Sequence, residues 1–363
     1  MRVGLDAHMV GSRETGNESY VKGLVEGFES TQDGLELVVY HVGRPWTDPG
    51  PHVTFERLVS GNPFVRLGLE LPARSASGVD LLHMSYASPL WTRVPVVVTV
   101  HDVCYASNPE WFSARDLRVL GTVVPRAIRK AARVITDSEA ARRDIVHHYP
   151  MAEEKIAVVY VGPGAAAQPI ARNAAAAELT ALGIDLRRPY ILVVGNLQPR
   201  KNLVRLVEAF SRLVRGGLEA SLVVVGPSHY RASDAFGAAA ALGDRVHFTG
   251  YVSDRQLAAC YELATVFVFP SLYEGFGMPA LEAMSHGVPC LCSNAGALPE
   301  ICGEAALYFD PTSVDAIAEG LQRMLADAQL RARLGSAARG WARRFSWTRA
   351  AEETIAVYRQ ALS

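Results

Sequence analysis

What the sequence has little of narrows the reading first. Five cysteines, Cys104, Cys260, Cys290, Cys292 and Cys302, are scattered over 363 residues, which does not suit a disulfide-built scaffold. Cys290 and Cys292 stand two apart in a strand-like run and face the same way. Neighbouring positions of one strand are poorly placed to bridge, and no Cys/His grouping has zinc spacing. The pattern reads as reduced, buried thiols of a cytosolic protein. No apolar run reaches the ~18–20 residues of a membrane span. The opening Met1-Arg2-Val3-Gly4-Leu5-Asp6 reads as a strand rather than a targeting segment. A net charge of −1 supplies no bulk attraction for nucleic acid. What is present is material for a core: 49% hydrophobic residues against 20% charged, in a chain long enough for two domains.

Short apolar runs alternate with amphipathic segments along the first half. Strands are expected at residues 2–6, 35–42, 79–85, 95–101, 134–138 and 156–161, and helices at 18–28, 117–132 and 139–147. Such βα alternation implies a mostly parallel sheet covered on both faces. Composition shifts at residues 162–177, which hold Gly-Pro-Gly and many alanines; this is the expected linker. A second series follows, with strands at 190–194, 221–225, 246–249, 266–269 and 289–292. Helices are expected at 203–214, 254–264 and 313–327, and the tail from residue 331 reads as helical with a break near Phe345-Ser346-Trp347. The fold class is therefore α/β, two Rossmann-like halves facing across a cleft.

One stretch organises the chain. Val266-Phe267-Val268-Phe269 is a buried-strand run. Pro270 to Gly277 is a loop with two glycines, and the helix formers that follow carry Pro279 where a first-turn proline belongs. Strand end, glycine loop and helix start together suit an anion. Two carboxylates flank it: Glu274 at the strand's carboxyl end, and Glu282 about a turn into the helix. A carboxylate beside a phosphate site is electrostatically awkward unless it accepts hydroxyls. A phosphate between two hydroxyl-binding carboxylates describes a sugar nucleotide. The bland alternative is that Glu274 caps the helix and Glu282 is solvated on it.

The same residues resemble a known family. Glu274 and Glu282 look like the E-x7-E signature of retaining glycosyltransferases of family 4, which have the GT-B fold. Gly250-Tyr251-Val252-Ser253-Asp254, the run Phe269 to Pro279, Gly287-Val288-Pro289 and Leu298-Pro299-Glu300 sit at family spacing. Gly195-Asn196-Leu197-Gln198-Pro199-Arg200-Lys201-Asn202 matches a family variant with adjacent Arg and Lys. The resemblance implies an acceptor domain (1–170, completed by a final helix, 347–363, that crosses back onto it) and a donor domain (171–346). It implies transfer of a hexose from a nucleoside-diphosphate sugar to a hydroxyl of a saccharide or lipid-linked acceptor, with retention. The Pro-Arg-Lys-Asn variant leans toward bacterial mannosyltransferases using GDP-mannose.

Residue by residue, Arg200 and Lys201 would neutralise the diphosphate, Arg by a bidentate fork and Lys as a point charge. The alternative is a solvated pair opening a helix, which the helix dipole disfavours. Gly275, Phe276, Gly277 and Met278 would present backbone N–H groups to the donor. By resemblance Glu274 holds sugar hydroxyls, Glu282 the ribose, and Asn196, Tyr251 and Val252 line the donor site, the last two around the base. Gly16 would bring backbone near the phosphate, although Glu18 stands where many members have a second glycine. His101 is expected at the sugar's reacting end, against the alternative of a structural histidine at a strand end. Asp102, Tyr105 and Trp111 are acceptor candidates; Trp91, Tyr105, Trp111 and Phe112 form either a sugar platform or core.

No Asp-x-Asp pair occurs, so departure of the diphosphate would rely on protein cations, with no metal and no cofactor beyond the donor substrate. Retention without an obvious nucleophile follows the family's one-face reaction, in which the departing phosphate oxygen takes the acceptor proton. The Arg-rich region around residues 115–143 suits an anionic membrane, making peripheral contact on the inner face one option. A solvated face interleaved with Asp116, Asp137, Glu139 and Asp144 is favoured over it. Two rivals stand beside the transferase reading: a sugar-nucleotide epimerase of the same fold, and a non-catalytic sugar-nucleotide-binding subunit.

Overall fold

The computed structural model of the chain describes residues 1–11, 15–31, 34–228 and 232–363. Residues 12–14, inside the loop expected between Gly11 and Gly16, lie outside the described residues. Two compact units are present: Met1–Gly162 together with Phe345–Ser363, and Pro163–Arg344.

The first unit is built on seven strands, β1 (Arg2–Asp6), β2 (Glu36–His41), β3 (Val53–Arg57), β4 (Leu81–Ser85), β5 (Val96–Thr99), β6 (Arg133–Thr136) and β7 (Ile156–Val158), in the order β3-β2-β1-β4-β5-β6-β7. Every pairing is parallel. The β-branched runs of β5 and β6 are buried because helices cover both faces of such a sheet. Among these helices are α1 (Thr15–Glu29), α2 (Ala114–Lys130) and α3 (Glu139–His148). Ser113 and Ser138 cap α2 and α3 by accepting the N–H groups of Asp116 and Ala141. Ser138, expected at the end of a strand, is thus a helix cap.

The C-terminal helix, Trp347–Leu362, completes this unit against α1. A side chain at Gly23 would overlap the Trp347 indole, so glycine there permits the close approach. Tyr358 of that helix is fully buried, and its hydroxyl lies 2.6 Å from His83 Nδ1. The other ring nitrogen meets Thr99 Oγ1 at 2.7 Å, and Thr99 in turn meets the Tyr20 hydroxyl at 2.9 Å. Burial, with the nearby His101 charge adding to it, pushes the His83 imidazole down to about 3, so it is neutral.

The second unit holds six parallel strands, β8 (Tyr190–Val194), β9 (Ser221–Val225), β10 (Val246–Gly250), β11 (Val266–Phe269), β12 (Cys290–Ser293) and β13 (Ala306–Phe309), in the order β10-β9-β8-β11-β12-β13. Its helices include α4 (Leu203–Arg215), α5 (Asp254–Glu262), α6 (Met278–Ser285), α7 (Val314–Ala326) and α8 (Ala328–Ala342). Leu203, Leu206, Val207 and Phe210 of α4 recur at helical spacing and close over Ile191, Val193 and Val268 of the sheet. The strand order turns back between β8 and β11. Crevices at such reversals, outside the carboxyl ends of the strands, are where open α/β sheets take ligands.

Two strands went unexpected. β3 is an edge strand with half-exposed positions, lacking the unbroken apolar run of a central strand. β13 has only four residues, two of them partly exposed. Replacing Tyr358 by Phe strands a buried histidine nitrogen and should cost ~1–3 kcal/mol, read as a lower denaturant midpoint at unchanged slope. An unchanged midpoint would contradict the network.

Candidate functional site

The loops after β8 and β11 are sewn together at the reversal of the second sheet. Asn202 takes a left-handed conformation, φ 58°, at the start of α4. Its buried side-chain amide donates to the carbonyls of Pro270 (3.0 Å) and Pro311 (2.7 Å). The Leu272 N–H donates to the Arg200 carbonyl at 2.8 Å. These bonds fix the short 3-10 turn Pro199–Lys201 beside Glu274.

There Lys201 Nζ donates to one Glu274 carboxylate oxygen at 2.6 Å, and Arg200 Nη1 donates to the other at 2.9 Å. Arg200 is further held by the Tyr273 carbonyl (3.2 Å) and Gln198 Oε1 (3.1 Å). The Lys201 ammonium sits 4.7 Å over the Phe269 ring. Glu274 is 6% exposed. Burial alone would raise its carboxyl, but the charges of Lys201 and then Arg200 outweigh it and hold the group down at about 2. Two cations on one carboxylate leave a net positive charge at the crevice.

Gly275, Phe276 and Gly277 are buried between Glu274 and α6. Gly277 stands at the helix N-cap with φ 106°, and a side chain on it would press against Leu298. Thus Glu274 is not the cap of this helix, and Met278 opens it, followed by Pro279. Glu282 is not solvated on it either: it is 7% exposed, with the Tyr261 hydroxyl donating to Oε2 at 2.8 Å. His286 stacks on Tyr261 at 5.7 Å and reaches the Ala166 carbonyl at 2.8 Å. Burial pushes the Glu282 carboxyl up to about 7, with Tyr261 opposing and Asp254 adding. Of the remaining second-unit candidates, Asn196 is half-buried after β8, Tyr251 is 53% exposed after β10, and Val252 is buried beside it.

On the first unit, His101 lies just beyond β5. Its Nδ1 meets Asp137 Oδ2, just beyond the neighbouring β6, at 2.6 Å. Tyr20 and Tyr86 contact the ring edge-on at 4.7 and 5.5 Å. Nε2 is buried and has no hydrogen-bond partner among the described residues. Burial would lower this imidazole, but the charge and hydrogen bond of Asp137, helped by Asp102, raise it. Asp137 was not singled out for a site role in the sequence; its position at the end of the strand next to the histidine's own is the signal that could have found it.

The acceptor candidates differ in exposure and in what holds them. Asp102 accepts the Cys104 N–H at 3.0 Å and so closes a local turn. Tyr105 is 5% exposed, packs edge-on to Phe112 and meets the Tyr149 hydroxyl at 2.9 Å; it is core rather than a sugar platform. Trp111 is half-buried in the 3-10 turn Pro109–Trp111, and Trp91 is exposed, with its indole N–H on the Gly68 carbonyl. Gly16 is exposed in the first turn of α1. Another cluster that sequence reading did not pick out is the buried Arg66, paired with Asp6 at the end of β1 and with His8.

Two titrations test this geometry. A folded carboxyl raised above its ordinary value stabilises fully below about 4.5, and that contribution fades as pH rises through about 7. Glu282→Gln should therefore melt later than the parent well above neutrality, by on the order of 3 kcal/mol, and the two should converge in acid. Asp137→Asn should lower the His101 midpoint, followed by imidazole NMR, by roughly one pH unit or more. An unmoved midpoint would contradict the pairing.

The first half of the chain matches a family model described as Glycosyltransferase Family 4, over residues 15–162. The second half matches one described as Glycosyl transferases group 1, over residues 176–341. The sequence is 31% identical to the O-antigen chain mannosyltransferase B of Escherichia coli, over 72% of this chain and 70% of that protein. It is 32% identical to the MMP alpha-(1->4)-mannosyltransferase of Mycolicibacterium hassiacum, over 74% of this chain and 66% of that protein. Among solved structures, a sucrose-phosphate synthase from Thermosynechococcus elongatus shares the fold, with a TM-score of 0.79 over 99% of this chain and 98% of that one at 23% identity. With both halves matched and the strand architecture shared, the chain belongs to the family 4 glycosyltransferases of the GT-B fold.

Proposed function

We propose that this glycosyltransferase moves a hexose, with retention and without a metal ion, from a nucleoside-diphosphate sugar bound on its second unit to a hydroxyl of a saccharide or lipid-linked acceptor. The observation that carries the reading is the convergence of Lys201 and Arg200 on Glu274 at the sheet reversal. A diphosphate fits a crevice with surplus positive charge and a helix start beside it. When it arrives, Lys201 and Arg200 turn to its oxygens, and Glu274 is freed to accept sugar hydroxyls. Glu282 takes the ribose, and the loop carrying Tyr251 and Val252 takes the base.

In the transfer step the acceptor oxygen bonds to the anomeric carbon as the bond from that carbon to phosphate breaks, on the same face. The acceptor proton passes to the departing phosphate oxygen. Lys201, Arg200 and the amides opening α6 stabilise the charge that develops there, which is the work a cation would otherwise do. The first unit serves the acceptor, and His101 serves the reacting end of the donor sugar. GDP-mannose is the preferred donor in this reading. The two relatives named above are mannosyltransferases, and the Pro199-Arg200-Lys201-Asn202 run leans the same way.

A thermal-shift panel of GDP-, UDP- and dTDP-sugars tests the donor, since a ligand of the folded state raises its apparent stability. GDP-mannose should give the largest shift, and a larger shift with a UDP- or dTDP-sugar would overturn that choice. Lys201→Ala should lower kcat/KM by about 100-fold or more with the circular dichroism spectrum unchanged, and chelator should leave parental turnover intact. Full turnover by the variant would contradict the assignment.

A further inference from the structure

His101 is gripped from several elements, and the grip leaves one ring nitrogen for use. The parallel register of β5 and β6 sets Thr99 against Ile135, and the Val100 N–H donates to the Ile135 carbonyl at 2.8 Å. Two residues beyond that pair, the same register brings His101 beside Asp137. Asp137 is itself fixed. Thr136 before it accepts the Val159 N–H at 2.8 Å, and Ser138 after it is the buried cap of α3. Asp137 is 4% exposed; its Oδ2 meets His101 Nδ1, and its Oδ1 has no hydrogen-bond partner among the described residues.

Two aromatic rings complete the grip. Tyr20 packs on the imidazole at 4.7 Å, with its hydroxyl tied to Thr99. Tyr86 packs on it at 5.5 Å from a backbone with φ 58°. The Tyr86 N–H donates to the Thr99 carbonyl at 2.9 Å, and the Ala87 N–H closes a three-residue turn on the Ser85 carbonyl at 2.7 Å. A bulky residue in the left-handed region is strained, and strain of this kind collects at working sites.

A histidine paired with a carboxylate can serve in two ways. With the ring neutral, Nδ1–H donates to Asp137, and Nε2 holds a lone pair that would take the acceptor's proton. With the ring charged, Nε2 holds a hydrogen and donates it. The surroundings favour the second state. The charges facing the ring are carboxylates, Asp137 from the end of β6 and Asp102 beside the histidine itself. His83, from β4, is neutral, and Tyr20 and Tyr86 present their rings. A one-face transfer also needs no base, because the departing phosphate oxygen takes the acceptor proton.

We propose that Asp137 is a positioning residue for the transfer: it holds His101 as a charged donor whose Nε2–H meets an oxygen of the donor sugar, and so keeps the ring from acting as a base. His101 retains its proton throughout. The inference rests on the reading of His101 as serving the reacting end of that sugar.

The test is kcat/KM for GDP release from GDP-mannose, across pH, for the parent, Asp137→Asn, His101→Ala and the double variant. The parent's rate should fall as pH rises through the His101 midpoint, since the charged form is the active one. Asp137→Asn should lower the rate at neutral pH by about tenfold or more, the size of one charge-assisted hydrogen bond, and its fall should begin roughly one pH unit lower. In the His101→Ala background, Asp137→Asn should change the rate by less than about twofold, whereas an aspartate with only a structural role would cost as much there as in the parent. A parental rate that rises with pH through the same range, or losses that add in the double variant, would overturn the proposal. The parent profile decides it even if Asp137→Asn melts early. A His101→Ala variant at the parental rate, or a parent that releases no GDP, would instead overturn the reading of the site on which the proposal rests.

Discussion

One carboxylate clamped between two cations sets the character of the second unit. Glu274 lies in protein interior, where an unpaired carboxylate is costly. Lys201 and Arg200 each take one of its oxygens, and the cluster is left with one positive charge in excess. Buried ion pairs contribute weakly to stability, because desolvation offsets much of the attraction. Their better-attested value is to fix an arrangement. Here the arrangement is held at several points: Asn202 is kept at φ 58°, its amide spans two loop carbonyls, and Gly277 supplies a positive-φ cap. These features all lie at the carboxyl ends of β8 and β11, where the strand order reverses. The diphosphate site proposed above accounts for them together.

The first unit shows the same economy with different groups. His83 and His101 lie close together near the carboxyl ends of adjacent strands, yet their environments push them in opposite directions. His83 is enclosed by hydroxyls and is neutral, whereas His101 faces the Asp137 carboxylate and is favoured as the cation. Nδ1 of His101 is committed to Asp137, and Nε2 is left for something else. The final helix takes part directly, since Tyr358 closes the hydroxyl chain behind His83. The end of the chain is therefore part of what supports this corner of the first sheet.

Much of this was legible in the sequence, for reasons that differ by element. Unbroken β-branched and aromatic runs such as Tyr190–Val194 and Val266–Phe269 read as strands buried on both faces, and their spacing with amphipathic helices gave the α/β class. The stretch from Glu274 to Glu282 announced both its helix start and its family. Strands β3 and β13 escaped because an edge position and a length of four residues dilute the apolar signal. The pairing of Glu274 with Lys201 and Arg200 spans some 70 residues, and no local pattern reports a contact of that range. Asp137 was hidden among charges read as a solvated face. Tyr105 stayed open between platform and core because an aromatic residue looks the same in sequence whether it is core or surface.

The most direct test of the central claim is a crystal of the protein soaked with a nucleoside diphosphate. The account predicts phosphate density at the reversal between β8 and β11, within hydrogen-bond distance of Lys201 Nζ, the Arg200 guanidinium and the amides that open α6. Density at another place, with Glu274 still clamped by both cations, would contradict it.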